Sequence, residues 1–328
     1  MGFYAPAQIV SDAKNHGVEV RPVDVNYSLW DNILEAEDPG ETAGKKANKY
    51  CALRLGFRQI KGMREEDTQV LTAARTKTFT RINEILDAGV SITALEKLAD
   101  ADAFRSLGLD RRKALWEITA LSDNPFGLFK GQPSESTTEK NVSLPEMSLS
   151  EHVVQDYGAM SLSLKAHPVS FIREKLDMLH VIATKNLING NDGDIIRVAG
   201  LVLVRQRPGT AGGICFITIE DETGVANLVV FRNLFENIYR KEILQSKLLM
   251  VEGKLQKEGE VIHVIVRHCE DWSKLLRTLT ATNNEDLPVL TLSPRDENDG
   301  LPFSSINKKT QVRTTAQEEL FPAGRNFK

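Results

Sequence analysis

The chain has 328 residues, a net charge of −4, 41% hydrophobic and 26% charged side chains, a composition typical of a soluble globular protein with two or three domains. No apolar run approaches the roughly 18 residues of a membrane helix, and the N-terminus lacks the basic and apolar regions of a signal peptide. Cys51, Cys215 and Cys269 are isolated, which argues against a disulfide framework or a zinc site and fits a cytoplasmic protein without membrane contact.

Residues 1–49 predict a short helix, an edge strand and a polar loop. The stretch APAQIVSDAKNHG places Pro6 near a helix start and Gly17 at its end. The following VEVRPVDVN alternates apolar and polar residues, which is typical of a short strand. Its proline cannot donate to a sheet ladder, so the strand is expected at a sheet edge. EAEDPGETAGKKANK is then a polar loop.

Residues 50–122 predict short helices joined by turns of two to four residues, which is typical of tandem helical hairpins. In the first of these helices Val70, Leu71 and Ala74 fall in step and are expected to pack inward. Further on, Thr93 and Glu96 have capping-box spacing, and Asp110 can cap the helix that follows it.

The second half of the chain changes character. Residues 123–150 are rich in Ser, Thr and Pro and predict a linker, and residues 151–190 predict a helical connector. Within 191–277 a period-two pattern gives three strands, a helix and two strands, the plan of a five-stranded OB barrel. Residues 278–328 predict a disordered tail. The expected fold class is α+β multidomain, with tandem helix-hairpin-helix motifs before the OB barrel.

Charge is distributed unevenly along the chain. Between Lys45 and Arg81 there are ten basic and three acidic residues, a net of +7, so the remainder sums to −11. A local basic block in an acidic chain points to a polyanionic partner, although scattered lysines on a solvated helical face would give the same count.

The segment IKGMREED predicts the turn of a helix-hairpin-helix. Such a turn exposes backbone N–H groups at the start of its second helix, which bind phosphate without regard to base identity. Gly62 would supply the sharp turn, while Ile60 and Met63 would anchor it. The alternative is an ordinary αα-turn. The predicted DNA contacts of this first hairpin are Arg58, Lys61, Gly62, Met63, Arg64, Lys77 and Arg81.

Two secondary sites are also predicted. The second hairpin, around Ala101 to Phe104, has no glycine at its turn and favours a packing repeat, with Arg111 and Arg112 as its candidate DNA contacts. An OB barrel binds single strands through aromatic and basic residues on one face. Its candidates here are Arg205, Arg207, Phe216, Phe231, Arg232 and Lys254. Residues 194–274 nevertheless carry eleven basic and eleven acidic side chains. The alternative is therefore kept that both phenylalanines lie in the core and that the barrel contacts protein, or DNA only weakly.

The remaining motifs do not indicate catalysis. GETAGKK is one residue too short for a phosphate loop and no Ser or Thr follows its lysine. The acidic pairs Asp100/Asp102 and Asp192/Asp194 fall at a helix end and in a turn, where capping and turn roles are favoured over metal binding. No nucleophile triad or histidine metal set stands out.

Several segments resemble the C-terminal third of the bacterial error-prone C-family DNA polymerase, the damage-inducible paralogue of the DNA polymerase III alpha subunit. They are GFYAPAQIVSDAKNHGVEVRPVDVN, ALRLGFRQIKGMREED, LADADAFRSLGLDRRKALW, SLSLKAHPV, IRVAGLVLVRQRPGTAGG, ITIEDETGVANLVVF and the terminal GRNFK. The resemblance places residues 61–64 on the family's duplex-contacting hairpin and Arg205, Phe216 and Phe231 in its OB module. The error-prone branch resembles this sequence in carrying arginine at position 64, whereas the replicative paralogue prefers a small residue there.

The resemblance implies a parent enzyme, a DNA-directed DNA polymerase and nucleotidyltransferase, of roughly three times this length. Its phosphoesterase-like domain, palm, thumb and most of the fingers would precede this chain, and Met1 would be an internal methionine exposed by truncation, a split gene or an incomplete record. The two magnesium ions would belong to the palm, so no cofactor is expected here.

The expected role is DNA binding in error-prone translesion synthesis, DNA repair and replication of damaged DNA, without catalysis by this chain alone. The expected partners are the phosphate backbone of duplex DNA, single-stranded template, translesion accessory proteins and the sliding clamp. The alternative is a non-enzymatic adaptor whose barrel docks accessory proteins. A ligase- or nuclease-type repair enzyme is disfavoured, because the sequence lacks a nucleophile and a metal cluster.

Overall fold

A computed structural model describes residues 5–35, 51–122, 144–259, 261–277 and 279, together with the backbone of 325–327. The chain forms two compact units, one of Met1–Ser148 with Gln155–Leu164 and one of Leu149–Val154 with Lys165–Lys328. None of the described helices has the length and apolar character needed to cross a bilayer. The predicted loop at 36–49 and most of the predicted linker, residues 123–143, lie outside the described residues.

The first unit contains a small sheet and an array of short helices. Its elements are α1 Pro6–Asn15, β1 Val20–Arg21, β2 Ile33–Glu35, β3 Ala52–Arg54, α2 Glu65–Ala74, α3 Ile82–Asp87, α4 Ile92–Asp100, α5 Arg111–Ser122 and the second half of α6 Leu149–Met160, with single 3₁₀ turns at Phe57–Gln59 and Arg105–Leu107. Strand β1 pairs in parallel with β3 and lies at an edge of the sheet, as predicted, but it ends at Arg21, so Pro22 and the residues up to Val25 are not part of it.

One hydrophobic core serves the whole first unit. Val10, Val23 and Val25 pack in the same cluster as Phe57 and Phe104 of the hairpin region. The segment predicted as a separate N-terminal region therefore shares its core with the hairpins.

Two local predictions for the hairpin helices need correction. In α2 Leu71 is buried and Ala74 packs against the core, as predicted, but Val70 is 40% exposed and Thr68 is buried in its place. The cap of α4 is Ser91, whose hydroxyl accepts the N–H of Ala94 at 3.2 Å, and the helix has already begun at Thr93.

The second unit is a closed barrel. Its strands are β4 Ile195–Gln206, β5 Cys215–Asp221, β6 Gly224–Val230, β7 Leu248–Glu258 and β8 Val261–Asp271, and its helices are α7 Arg173–Met178, α8 Arg232–Asn237, α9 Arg240–Gln245 and α10 Ser273–Arg277, with 3₁₀ turns at Pro168–Ile172 and Thr184–Asn189. The pairing order β5-β6-β8-β7-β4 is closed by β4 on β5. The predicted OB plan is confirmed, with its single helix divided into α8 and α9.

The tail is not wholly disordered as predicted. Residues Arg325–Phe327 form a ninth strand, β9, which pairs in parallel with β4. For these three residues the prediction is wrong. Residues 280–324 lie outside the described part of the chain.

Candidate nucleic-acid interface

The turn of the first hairpin has the predicted backbone geometry. Gly62 adopts φ +70°, a left-handed conformation that favours glycine. Ile60 and Met63 are 3% and 8% exposed and pack into the core on either side of it. The turn is therefore held by its apolar neighbours while Gly62 itself stays at the surface.

The first turn of α2 has no side-chain cap. Arg64 is the N-cap residue, and its exposed guanidinium has only donors, so it cannot cap the backbone N–H groups. Within the described residues this guanidinium also has no hydrogen bond or ion pair. Because Arg64 does not cap the first-turn N–H groups, these groups and the positive end of the helix dipole can meet an anion, with Arg64 beside them.

Acidic side chains limit this site. Glu65, Glu66 and Asp67 occupy the first turn of α2, where the helix dipole stabilises negative charge. Asp67 additionally accepts the Ser91 hydroxyl at 3.2 Å. These carboxylates oppose a phosphate at close range, so binding here depends on the cations around the turn.

Two lysines approach the turn in different ways. The Lys61 N–H donates to Ala159 O at 2.8 Å and its ammonium donates to Tyr157 O at 3.1 Å. Partial burial lowers the pKa of Lys61, and its two hydrogen bonds attach it to α6. Lys97 on α4 donates to the Gly62 carbonyl. Sequence reasoning missed Lys97, because the contact joins residues of two hairpins.

The other predicted contacts of the first hairpin differ in availability. Arg58 is exposed but pairs with Asp31. Lys77 and Arg81 are both exposed, and Arg81 lies immediately before α3.

The basic block is smaller at the surface than in the sequence. Arg54 forms two bonds to Glu35, at 2.8 and 3.0 Å. Arg75 donates to the carbonyls of Val25 and Ser28 at 3.1 and 2.9 Å. Both guanidinium groups hold the unit together instead of facing a partner.

The second hairpin is a packing element. Arg111 is 2% exposed, with its Nη2 2.6 Å from Asp156 Oδ1, so its predicted contact with DNA is wrong. Arg112 is half-buried and donates to Pro145 O. Asp110 caps α5 through a 2.8 Å bond from the Lys113 N–H, as predicted, and therefore occupies the position that a phosphate would need. The left-handed residue of this turn is Asp102, at φ +60°.

Three predicted arginines of the barrel already have partners. Arg205 is 4% exposed and donates to the carbonyls of Ile243 and Ser246, so its prediction as a DNA contact is wrong. Arg207 pairs with Glu236 at 2.5 Å, and Arg232 pairs with the same carboxylate at 2.8 Å. Glu236 thus offsets one of these two positive charges, which lowers but does not cancel the positive potential of this side of the barrel.

The two barrel phenylalanines are exposed, so a core position for them is excluded. Phe216 on β5 is 37% exposed and Phe231, at the start of α8, is 47% exposed. Phe216 is paired with Val229, and Val229 with Ile265. Ile265 pairs in turn with Lys254, which is exposed. We call this row, Phe216, Val229, Ile265 and Lys254, the barrel stripe.

A polar row runs beside the barrel stripe. Thr218 donates to Asn227 at 3.1 Å, and Asn227 lies opposite His263 in the ladder. An aromatic ring, apolar neighbours and an exposed ammonium form a surface on which bases can stack, with hydrogen-bonding groups alongside.

One family model matches within each unit. Residues 17–114 match the family described as a helix-hairpin-helix motif, and residues 196–272 match an OB-fold nucleic acid binding domain. The fold and the two surfaces together define an α+β nucleic-acid-binding protein.

The relatives are more specific. An error-prone DNA polymerase from Sinorhizobium medicae is 46% identical over 85% of this chain and 26% of its own length. Error-prone DNA polymerase 1 of Rhizobium meliloti is 45% identical over 100% of this chain and 32% of its own, and the Mesorhizobium japonicum protein is 39% identical over 100% and 31%. The resemblance is confirmed: relatives named error-prone DNA polymerase match this chain at 39–46% identity, and the chain spans about a quarter to a third of their length.

Proposed function

We propose that this chain is the C-terminal DNA-binding portion of an error-prone translesion DNA polymerase. The observation that carries the proposal is the uncapped α2 N-terminus beside Gly62, with an exposed Arg64 that has no partner among the described residues, in a chain whose relatives are error-prone DNA polymerases. The first hairpin would contact duplex phosphates, and the barrel stripe would contact single-stranded template.

Contact with duplex DNA at the first hairpin should be blind to sequence. Backbone N–H groups and one guanidinium recognise phosphate oxygens, which are alike at every base pair. Lys77 and Arg81, both exposed, are the further cations assigned to this surface.

The test measures the salt dependence of duplex binding by the whole chain. Arg64→Ala should weaken binding to all duplex sequences alike and lower the slope of log K against log salt by about one. Lys113→Ala removes an exposed lysine from the second hairpin and should leave the slope unchanged. Fluorescence anisotropy of a labelled duplex between about 50 and 200 mM salt provides the readout. An unaltered slope in Arg64→Ala would contradict a phosphate contact by Arg64 and would leave the first hairpin with a packing role alone.

The nucleotidyl transfer step is assigned to parts of the relatives that this chain does not match. Palm carboxylates with two magnesium ions would catalyse it there. The described residues contain no group of three or more His, Cys, Asp or Glu side chains suited to a metal ion. Primer extension by the purified chain would contradict this assignment.

A second candidate is an adaptor role for the barrel, with translesion accessory proteins or the sliding clamp as partners in the cytoplasm. The pairing of Arg207 and Arg232 with Glu236 favours it, because the shared carboxylate reduces the positive potential that a nucleic acid strand would meet there. Single-stranded DNA binding that is lost in Phe216→Ala would reject it.

A further inference from the structure

The two edges of β4 are unequally covered. On one edge β5 pairs with β4 from Leu201 to Gln206. On the other edge β7 pairs only with Ile195–Leu201, and a last bond runs from the Val202 N–H to Lys247 O at 2.9 Å. Beyond Val202 this second edge would present unpaired backbone N–H and C=O groups, which favour the addition of a further strand.

Strand β9 occupies this open edge. Its residues pair in parallel with β4 in the register Val204 with Arg325, Arg205 with Asn326 and Gln206 with Phe327. Gln206 is thereby flanked by Phe327 on one side and by Phe216 of β5 on the other. The tail strand thus lies one strand away from the barrel stripe.

The edge is preformed by the barrel itself. The buried Arg205 side chain donates to Ile243 O and Ser246 O at the end of α9, which holds this part of β4 in place. A register shift between Val202 and Val204 separates the β7-paired half of the strand from the half that carries β9. The groups that shape the edge therefore belong to the barrel and do not require the tail.

We propose that the open edge of β4 at Val204–Gln206 is a peptide-docking site that binds an extended segment by parallel strand addition, and that its resident occupant is residues 325–327 of the same chain. Strand addition draws its affinity from main-chain hydrogen bonds, so the site selects extended conformation first and sequence second. A three-residue ladder is short, and docking is reversible. Covalent attachment raises the effective concentration of the tail to the order of millimolar.

The test uses the full chain and one labelled peptide with the sequence of residues 320–328. Asn326→Pro places a residue without a backbone N–H and with a fixed φ in the middle of β9, which should weaken the three-residue ladder, whereas Asn326→Ala keeps the N–H. The Asn326→Pro chain should bind the peptide at least about tenfold more tightly than the wild-type or Asn326→Ala chain, because its own tail no longer competes. A peptide that itself carries Asn326→Pro should bind none of the three.

Hydrogen exchange gives a second readout without the peptide. Exchange in residues 203–207 should be faster in Asn326→Pro than in Asn326→Ala. Equal peptide binding by the three chains together with equal exchange would overturn the proposal. A full-length dimer that Asn326→Pro dissociates would overturn the assignment of the tail to its own barrel, since a second copy would then be the occupant. Neither readout involves DNA, so the proposed function is tested separately.

Discussion

Arg111 and Arg112 are neighbours in sequence with opposite surroundings. Arg111 donates to Asp156 and to Asp100 O, and Asp156 also accepts the Ser163 hydroxyl at 2.8 Å. Arg111→Ala would leave the buried Asp156 carboxylate without its cation, and we expect the free energy of unfolding to fall by about 3–5 kcal/mol. Urea denaturation followed by circular dichroism measures this loss.

The neighbouring arginine supplies the control. Arg112 is half-buried and donates to Pro145 O, so its guanidinium keeps contact with water and Arg112→Ala should cost less stability than Arg111→Ala. Replacing the ion pair with apolar residues, as in Arg111→Met with Asp156→Leu, should recover much of the stability lost in Arg111→Ala. Equal midpoints for Arg111→Ala and Arg112→Ala would contradict the assigned role of the pair.

Gly56 and Gly62 are constrained for different reasons, which gives a second prediction. A Cβ on Gly56 would lie 2.4 Å from backbone atoms of Trp30 and Asp31, whereas one on Gly62 would meet only the end of Lys97 at 3.5 Å. Gly62→Ala should therefore cost only the left-handed backbone strain, about 1–2 kcal/mol, and Gly56→Ala should cost more. Thermal melts compare them. Gly62→Asn, which tolerates this conformation, should melt above Gly62→Ala, and the reverse order would exclude backbone strain as the cause.

Residues whose role depends on local geometry could be predicted from the sequence. Gly62, Ile60, Met63 and the cap Asp110 follow from spacing within one turn. Arg64 and Arg111 look equivalent in the sequence, since each lies at the start of a helix. Their difference comes from Asp156, which is 45 residues from Arg111 and meets it only after the unit has packed.

At the scale of elements, the 3₁₀ turn Pro168–Ile172 and strand β5 hold two titrating side chains against each other. His167 Nε2 lies 3.9 Å from Glu220 Oε2, and each side chain is 15% exposed. The Val169 N–H donates to His167 Nδ1, and the buried Nε2 has no hydrogen-bond partner among the described residues. Burial lowers the pKa of His167 to about 4, and burial with the Asp221 charge raises the pKa of Glu220 to about 7.

These shifts affect stability in opposite directions. The unfolded chain binds a proton on His167 below pH 6.5, whereas the folded chain binds it only near pH 4. His167 therefore lowers the free energy of unfolding as pH falls from 6.5 to 4. The unfolded chain releases the Glu220 proton near pH 4.5 and the folded chain near pH 7, so Glu220 lowers the free energy of unfolding as pH rises from 4.5 to 7. Between about pH 4.5 and 6.5 the two should largely cancel.

Single replacements separate the two contributions. Relative to wild type, Glu220→Gln should gain stability as pH rises from 4.5 to 7, and His167→Gln should gain stability as pH falls from 6.5 to 4. Each difference should change by up to about 1.4 kcal/mol per pH unit. Urea unfolding at four pH values measures both. Differences that do not vary with pH in either variant would show that the pair does not titrate as described.

The barrel strands and the tail strand differ in how well the sequence predicts them. Strands β5 and β6 alternate between buried and more exposed residues, whereas β4 and β7 also contain runs of consecutive buried residues. Their lengths of seven to twelve residues make all four recognisable from the amino-acid pattern. Strand β9 has three residues and follows a polar segment. No period can be recognised in so short a stretch, and its pairing depends on the open edge of β4, which exists only in the folded barrel.

At the scale of the whole molecule, the proposed roles of the two units lead to one joint prediction. Arg64→Ala should weaken duplex binding without changing affinity for a single strand, because Arg64 lies on the first hairpin alone. Phe216→Ala should weaken single-strand binding without changing the affinity for duplex. The loss of binding free energy should be about 1–3 kcal/mol, the contribution of the base that stacks on the ring. Ile238→Ala, which removes an exposed apolar side chain between α8 and α9, is the control for the second change.

A primer–template junction offers duplex and single strand in one ligand, so one titration tests both surfaces. If the first hairpin binds only duplex and the barrel binds only single strand, the two losses of binding free energy should be additive. The loss in the Arg64→Ala, Phe216→Ala double variant should then equal their sum to within about 0.5 kcal/mol. Anisotropy with junction, duplex and single-strand probes at one salt concentration gives the whole cycle. A double variant no weaker than Arg64→Ala on the junction would mean that the barrel does not contact the template, and the adaptor role would then be the better account of the barrel.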